Sequence, residues 1–412
     1  MDRRLDRYNR GQANVCSCRG GPADLSSFFW SGRVPKNILI TGGTPGERYE
    51  PLRYLLTATI GWVPVIVLHN GNTGLAELAR DCWQEAASLG RQAPLGLVDQ
   101  RSPILEPLLG MNDTQIVDTL ETLARSRGMS IPAEFDTVVR AYLQAVRMSG
   151  AEPCLSGLYR LCSIFGANQL REYILSLVSP RDEDMALQVW AEMGFTRDGG
   201  GREAGQLLRT VVLRLADEAS RSGWRPGNGA GGINALLGRA NGACFVMEVR
   251  ESYGELMLPY LTQELRYSYG KPCLLVLDGL SLEGELLKMI GRGSDQFRVV
   301  VSGQDVVGLT ERDRFNDLAA GMDLMVMFKQ PTAQRAAELS GTIGTFERLI
   351  TERTYDESRS LFDILHHEER EGVTTRLDTD AQRVRPEELM ALRTYQAILF
   401  DMENDSIVRF NG

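Results

Sequence analysis

Asn37 to Arg48 read NILITGGTPGER, and this stretch decides the fold. Its first five residues are apolar and β-prone, a glycine-rich turn from Gly42 to Gly46 follows, and Leu52 to Thr59 has helical spacing. A second unit of the same kind comes next, with Val63 to His69 as a strand and Leu75 to Leu89 as a helix. Strands that alternate with helices predict βαβ units and a parallel sheet.

Later in the chain, short apolar runs have the composition of strands that are covered on both faces. These runs are Cys244 to Val249, Cys273 to Leu277, Phe297 to Val301 and Leu324 to Phe328. Between the early and the late strands, from about Met111 to Met193, apolar residues recur at helical spacing with no strand signal. The sequence therefore predicts an α/β protein with a mostly parallel sheet and an inserted all-helical subdomain.

This pattern divides the 412 residues into four segments, since one core rarely supports a chain of that length. We expect an N-terminal tail at 1–30, the first part of the α/β domain at 31–107, the inserted all-α subdomain at 108–195 and the rest of the α/β domain at 196–412. The run Gly199 to Gly201 is interpreted as a flexible joint, and the polar stretch Asp356 to Gln382 as extended or mobile.

The composition excludes several classes of protein. With 43% hydrophobic and 24% charged residues it is that of an ordinary globular protein, and no run approaches the roughly 20 apolar residues that span a bilayer. The charged segment Met1 to Gln12 has no apolar core of a secretory signal, and seven cysteines fit a reducing compartment. A net charge of −9 argues against a broad nucleic-acid surface. We therefore expect a cytoplasmic protein with no metal site, because neither Cys16 with Cys18 nor His366 with His367 completes a ligand set.

The glycine-rich turn stands where a phosphate-binding loop would stand. The pattern G-x-x-x-x-G-K-[ST] binds phosphate through backbone N–H groups and a helix N-terminus, with a lysine for charge and a hydroxyl for magnesium. If Gly46 takes the last glycine position, Glu47 replaces the lysine and Arg48 replaces the Ser or Thr. An anion repels the phosphates, and Arg48 has no oxygen for the metal.

The candidate nucleotide-binding residues of this loop are Gly42, Gly43, Thr44, Pro45, Gly46, Glu47 and Arg48. Weak binding of ATP and magnesium stays open, because Arg48 can still contact phosphate from one side. A strand-to-helix turn that binds nothing stays open as well, since glycine-rich turns are common at such junctions.

A phosphate-transferring enzyme also needs an acid at the end of a buried strand to orient magnesium, usually followed by a glutamate that activates water. The run Cys273 to Asp278 (CLLVLD) ends in such an acid, but the next residue is Gly279. Glu283 lies a little over one helical turn further on and is the candidate substitute. The alternative for Asp278 is a helix cap or a turn residue.

Four segments occur in a characteristic order: Asn37 to Arg48, Pro64 to Glu106, the acid strand with Arg298 to Gln330, and Arg383 to Phe400 (RVRPEELMALRTYQAILF). Together they resemble the TraG-like coupling proteins of type IV secretion and conjugation, which are hexameric ATPases of the FtsK and HerA branch. The resemblance implies a P-loop NTPase-like (RecA-like) fold, with the family's all-helical domain at the place of the insertion. It also implies that Gln304 matches the glutamine that senses nucleotide, and that Asn316 matches an asparagine before the next strand.

Three departures from that family bear on function: the absent membrane-spanning N-terminal segment, the replaced lysine and hydroxyl of the loop, and the glycine after Asp278. With these losses, the resemblance implies a hydrolysis-deficient pseudo-ATPase that acts as a recruiting or scaffolding component. Its partners would be other secretion or conjugation proteins, an active ATPase relative and a protein or nucleoprotein substrate, which could hold it at the inner face of the membrane. We expect a monomer or small oligomer alone, and a ring only with a partner.

Two other hypotheses stay open. In the first, the chain is an active ATP-driven DNA or protein translocase, in which Arg48, Lys36 or Lys329 supplies the missing charge. Its catalytic residues would be Asp278, Gln304 and Glu283. In the second, it is an α/β binding component of a phage-like or contractile apparatus. The sequence alone does not decide whether the protein is an enzyme.

Overall fold

The structure of the protein is a computed structural model. The residues that it describes are 15–18, 29–31, 34–91, 95–98, 106–195, 199–221, 244–249, 255–267, 273–282, 286–287, 290, 297–310, 314–356 and 370–411.

The strands, in chain order, are β1 (Val15–Cys18), β2 (Trp30–Ser31), β3 (Val34–Pro35), β4 (Ile38–Thr41), β5 (Val65–His69), β6 (Leu95–Val98), β7 (Cys244–Glu248), β8 (Cys273–Asp278), β9 (Phe297–Gly303), β10 (Leu324–Met327), β11 (Thr345–Asp356), β12 (Arg370–Gln382), β13 (Gln396–Asp401) and β14 (Ser406–Asn411). The helices are α1 (Pro45–Thr59), α2 (Thr73–Ser88), α3 (Asp113–Ser126), α4 (Phe135–Met148), α5 (Leu155–Cys162), α6 (Ala167–Ser176), α7 (Glu183–Trp190), α8 (Gly199–Arg221), α9 (Met257–Arg266), α10 (Phe315–Ala320), α11 (Ala333–Ile343) and α12 (Pro386–Ala391).

The main sheet has the strand order β1-β14-β13-β10-β4-β9-β8-β5-β7-β6. From β10 to β6 every strand is parallel to its neighbours, whereas β13 runs antiparallel to both β10 and β14. The predicted mostly parallel α/β sheet is confirmed. One difference concerns the predicted N-terminal tail, because β1 lies within it and pairs with β14 at the edge of the sheet.

The sheet is covered on both faces, which explains why its strands are continuously apolar. Successive side chains of a strand point to opposite faces. Accordingly, Ile38 and Ile40 of β4 belong to the core that includes Leu52 of α1, while Leu39 belongs to the core that includes Leu120 of α3. The helices α1 and α2 therefore cover one face, and the helical insertion with α9 covers the other.

The helical insertion contains α3 to α7 and ends in a single π turn, Ala191–Phe195, that is interrupted by Gly194 with a φ of 90°. The run Gly199 to Gly201 was predicted to be a flexible joint, but it forms the first turn of α8. This helix packs against α3, α4 and α5 of the insertion. The predicted division at residue 195 stays a prediction, and the contacts of α8 argue for a boundary further along the chain.

A two-stranded antiparallel ribbon, β11 with β12, stands apart from the main sheet. Its strands have 12 and 13 residues. The polar stretch that was predicted to be extended or mobile thus includes β12, while residues 357–369 and the histidine pair lie outside the described residues. Among the helices that the structure describes, none is long and apolar enough to cross a membrane.

Candidate functional site

The glycine-rich loop and Asp278 lie at the same edge of the sheet, where the parallel strands end. In register, Thr41 of β4 lies opposite Gly303 of β9, and Asp278 of β8 lies opposite Ser302 of β9. One strand, β9, therefore separates the strand of the glycine loop from the strand of the acid. Ligands of open α/β sheets bind outside this carboxyl edge. We call this side of the sheet the carboxyl edge and the opposite side the amino edge.

Between β4 and α1 the loop is only three residues long, and two of them need to be glycine. Gly42 has a φ of 85° and Gly43 a φ of 62°, a region that residues with a Cβ rarely adopt. A Cβ on Gly42 would also lie 2.7 Å from the carbonyl oxygens of Phe328 and Lys329. The two glycines thus let the chain pass directly over the end of β10.

Helix α1 is capped by its own side chains. Thr44 is the N-cap, its Oγ1 accepts a hydrogen bond from the Glu47 N–H (3.4 Å), and the Glu47 Oε2 accepts one from the Thr44 N–H (2.7 Å). This reciprocal pair is a capping box. The other oxygen of Glu47, Oε1, accepts a hydrogen bond from the Tyr395 N–H (2.8 Å), in the turn before β13.

The Glu47 carboxylate is buried and anionic. Burial acts to raise its pKa, but hydrogen bonds from the Thr44 and Tyr395 amides and from the Thr44 hydroxyl, with the charge of Arg48, hold the pKa below its ordinary value. An anion is also favoured at this place by the dipole of α1. Glu47 therefore provides, from within the chain, the negative charge that a phosphate would bring to the helix N-terminus.

The amides of the loop already have oxygen partners. The Gly42 N–H donates to the carbonyls of Gly303 (3.3 Å) and Gln304 (3.2 Å), and the Gly43 N–H donates to that of Lys329 (2.8 Å). The Thr44 and Glu47 amides are engaged in the capping box, so four amides of the loop and of the first helical turn donate within the chain. In this arrangement the loop offers no ready phosphate cradle.

Arg48 lies beneath the loop instead of facing outward. Its guanidinium donates to the carbonyl oxygens of Gly42 and Gly43, each at 3.1 Å. Burial lowers the pKa of Arg48, and the negative charge of the nearby Asp278 opposes that shift. The arginine is thus bonded to the loop carbonyls, and its charge lies near that of Asp278.

Asp278 is held by two residues that the sequence did not single out. The Asn72 side-chain amide donates to Asp278 Oδ2 (2.7 Å), and the Tyr49 hydroxyl donates to Asn72 Oδ1 (2.6 Å). Asn72 is also the N-cap of α2, where its Oδ1 accepts from the Leu75 N–H (3.3 Å). The available sequence signal was an Asn in the short loop between β5 and α2, directly before the helix.

Several buried polar atoms at this edge have no hydrogen-bond partner in the part of the chain that the structure describes. They are Thr41 Oγ1, Arg48 Nε, Asp278 Oδ1 and Ser302 Oγ. Unsatisfied buried groups are uncommon in folded proteins, and each calls for an explanation such as a water or a ligand. Here they gather at the ends of three neighbouring strands and the first turn of α1, where the fold places its candidate site.

The remaining predicted residues are distributed as follows. Pro45 and Gly46 are exposed in the first turn of α1, and the Gln304 side chain is exposed in the turn after β9. Glu283 lies outside the described residues. Lys36 is at the amino edge, where its Nζ binds Asp401 (3.1 Å), so it does not reach the loop.

The residues of this edge do not fit ATP with magnesium. Position 48 has no hydroxyl, the loop amides are engaged, and Glu47 places a negative charge at the helix N-terminus. The carboxyl edge is therefore a polar site in which Glu47 and Arg48 bond to the backbone of the chain itself.

No family model and no curated protein matches the chain. Among solved structures it is similar to the bacterial conjugative coupling protein TrwBdeltaN70 in an unbound form, with 15% identity and a TM-score of 0.52 over 95% of this chain and 91% of that chain. It is similar to the plasmid coupling protein TrwB in complex with ADP and Mg²⁺, with 16% identity and a TM-score of 0.53 over 96% and 88%. It is also similar to TrwB in complex with the ATP analogue ADPNP, with 16% identity and a TM-score of 0.53 over 96% of this chain and 92% of that chain. At this identity the likeness shows the fold alone, so the chain has a P-loop NTPase fold.

Proposed function

We propose that the protein is a coupling-protein-like component of a conjugation or type IV secretion apparatus that keeps the P-loop fold without using ATP. Its role is to recruit or to scaffold other components. The fold shared with TrwB supports a place for this protein in a conjugation or secretion apparatus. The observation that carries the loss of ATP use is the Glu47 carboxylate, which accepts hydrogen bonds from the Thr44 and Tyr395 amides at the N-terminus of α1.

Glu47 and Arg48 supply, from within the chain, the negative and positive charges that a bound nucleotide and its cation would bring to this site. Glu47 occupies the helix N-terminus with an anion, and Arg48 donates to the loop carbonyls and places a positive charge near Asp278. Such a loop has partners without a nucleotide, because the Glu47 carboxylate and the amides of Gly42, Gly43 and Thr44 are hydrogen-bonded within the chain. Nucleotide binding would require these contacts to break first, and that cost lowers the affinity for ATP.

Calorimetric titration with ATP and magnesium tests this proposal. We expect no measurable binding to the wild-type chain, and measurable binding after Glu47→Lys with Arg48→Thr, which restores the lysine and the hydroxyl. The matched control is Glu50→Lys with Arg53→Thr, the same exchange at two exposed positions of α1. Micromolar binding of ATP by the wild-type protein, or equal gains in both double variants, would contradict the proposal.

The recruiting role is assigned to the helical insertion. Tyr159, Phe165 and Met185 are large apolar residues of the insertion, and their exposed fractions are 46%, 72% and 45%. Exposed apolar side chains of this size favour protein contacts. Their combined replacement by Ala should weaken binding to purified components of the same apparatus, whereas Trp62→Ala with Leu89→Ala, in the α/β part, should not. Equal binding by both variants would remove the insertion from the recruiting role.

A further inference from the structure

The β11–β12 ribbon is long, and few contacts join it to the rest of the described chain. Its 12 and 13 residues make a ladder of paired positions from Thr345 with Gln382 to Asp356 with Arg370, and it makes little contact with other described elements. An isolated two-stranded ribbon is only marginally stable in water, and further strands stabilise it. In the described chain, no strand pairs with the outer edge of β11.

The outer edge of β11 contains no proline, the residue that cannot donate to a ladder. Each residue of the strand TFERLITERTYD therefore keeps its backbone N–H, and the N–H groups of alternate residues point away from β12. Unpaired strand edges are ready sites for another strand. The question is which strand fits this one.

The sequence of β11 is complementary to itself when two copies run antiparallel. With Ile350 opposite Ile350 on a two-fold axis, Glu347 falls opposite Arg353 and Arg348 falls opposite Glu352. The symmetry repeats each pair, so four positions of opposite charge face one another. Opposite charges at paired positions stabilise antiparallel strands, and like charges destabilise them.

The complementarity is specific to one register. A slip of one residue in one direction places Glu347 opposite Glu352, and a slip in the other direction places Arg348 opposite Arg353. The strand thus favours one self-pairing and disfavours its immediate neighbours. Charge patterns of this kind fix the register of strands.

Within the ribbon itself these charges have another arrangement. Arg348 lies opposite Asp378, but Arg353 lies opposite Val373, and Glu347 lies at the register shift between Phe346 and Arg348. The complementarity of Glu347 and Arg353 is therefore not explained by the pairing of β11 with β12.

We propose that β11 is the interface of a homodimer, in which two copies pair antiparallel about Ile350 and join their ribbons into a four-stranded sheet. The interface is isologous, with the same strand on both subunits, as expected for two-fold symmetry. The occupant of the open edge is a second copy of this chain. This inference does not depend on the proposed function at the carboxyl edge.

Light scattering over a concentration series tests the dimer. We expect the wild-type protein to dimerise with rising concentration. Glu347→Arg alone and Arg353→Glu alone each replace two opposite-charge pairs by two like-charge pairs, so each should weaken the dimer by about tenfold or more. The matched control, Arg376→Glu, makes the same charge change as Arg353→Glu but in β12, opposite Ile350, and should leave the dimer intact.

The decisive step is to mix the two single variants. In a mixed dimer, position 347 of one copy and position 353 of the other again carry opposite charges on both sides of the axis, so mixing should restore dimerisation. A wild-type protein that stays monomeric at every concentration overturns the proposal. The proposal is also overturned if both single variants dimerise as strongly as the wild type. It is overturned as well if mixing the two variants does not restore dimerisation.

Discussion

Buried polar groups are satisfied at the amino edge of the sheet and left incomplete at the carboxyl edge. At the amino edge, the buried Lys36 binds Asp401 at 3.1 Å, and the Asn37 side chain both donates to Gly321 and accepts from the Val299 amide. At the carboxyl edge, Asp278 and other buried groups keep atoms with no hydrogen-bond partner in the described chain. The first arrangement stabilises the fold. The second has the polarity of a binding site in which side chains of the protein satisfy only some of the buried polar atoms.

The largest expected effect is at the amino edge. Lys36→Met leaves the Asp401 carboxylate buried without its cation, and we expect a loss of about 3 kcal/mol in the free energy of unfolding. Adding Asp401→Asn removes the stranded charge and should recover part of that loss. Urea unfolding of the two variants measures both values. If the double variant were no more stable than Lys36→Met, the ion pair would not be the reason for the loss.

At the carboxyl edge, Arg48 should contribute the most. Arg48→Met removes the donors to the Gly42 and Gly43 carbonyls, and hydrogen bonds from a charged group are each significant, so we expect a loss of about 2 kcal/mol. Arg53→Met, on the exposed face of the same helix, should change stability by less than about 0.5 kcal/mol. Equal melting temperatures of the two variants would show that the loop does not depend on Arg48.

Glu47 should contribute in a pH-dependent way. The folded state lowers its pKa, so its contribution is fully present above the ordinary carboxyl pKa and is lost as the pH falls through the lower folded value. We expect Glu47→Gln to cost about 1 kcal/mol at neutral pH, the usual size of a cap contribution. Unfolding curves of the variant and the wild type should converge in acid. A gap that stays constant with pH, or an equal gap for the exposed Glu50→Gln, would argue against a buried anion at the cap.

The smallest expected effect on stability comes from comparing two buried serine hydroxyls, one with a hydrogen-bond partner and one without. Ser302 and Ser340 are both fully buried serines, but Ser340 Oγ donates to the Val384 carbonyl (2.5 Å), while Ser302 Oγ has no partner in the described chain. Ser340→Ala should cost about 1 kcal/mol, and Ser302→Ala about zero. A clear loss of stability for Ser302→Ala would mean that its hydroxyl binds a water or a ligand.

Much of the fold was predictable because its signals are local. Apolar runs such as Ile38 to Thr41, interrupted by glycine and followed by helical spacing, predict a parallel α/β sheet without any knowledge of tertiary contacts. The strands β13 and β14 were not separated as an antiparallel pair, because sequence spacing does not reveal which neighbour a strand will choose. The helix begins at Pro45 and not at Leu52, because the capping box of Thr44 and Glu47 fixes its start directly after the loop.

By itself, the sequence determined the type of sheet and the helical character of the segment between the early and the late strands, and it placed Glu47 and Arg48 directly after the glycine-rich turn. Only the tertiary structure decided what those two residues do. Glu47 accepts from Tyr395, which is 348 residues away, and Asn72 reaches Asp278 across 206 residues. Periodicity and capping act over a few residues, so they can be inferred from the chain. Hydrogen bonds between distant segments depend on which strands become neighbours, and the balance of burial over the whole fold settles that choice.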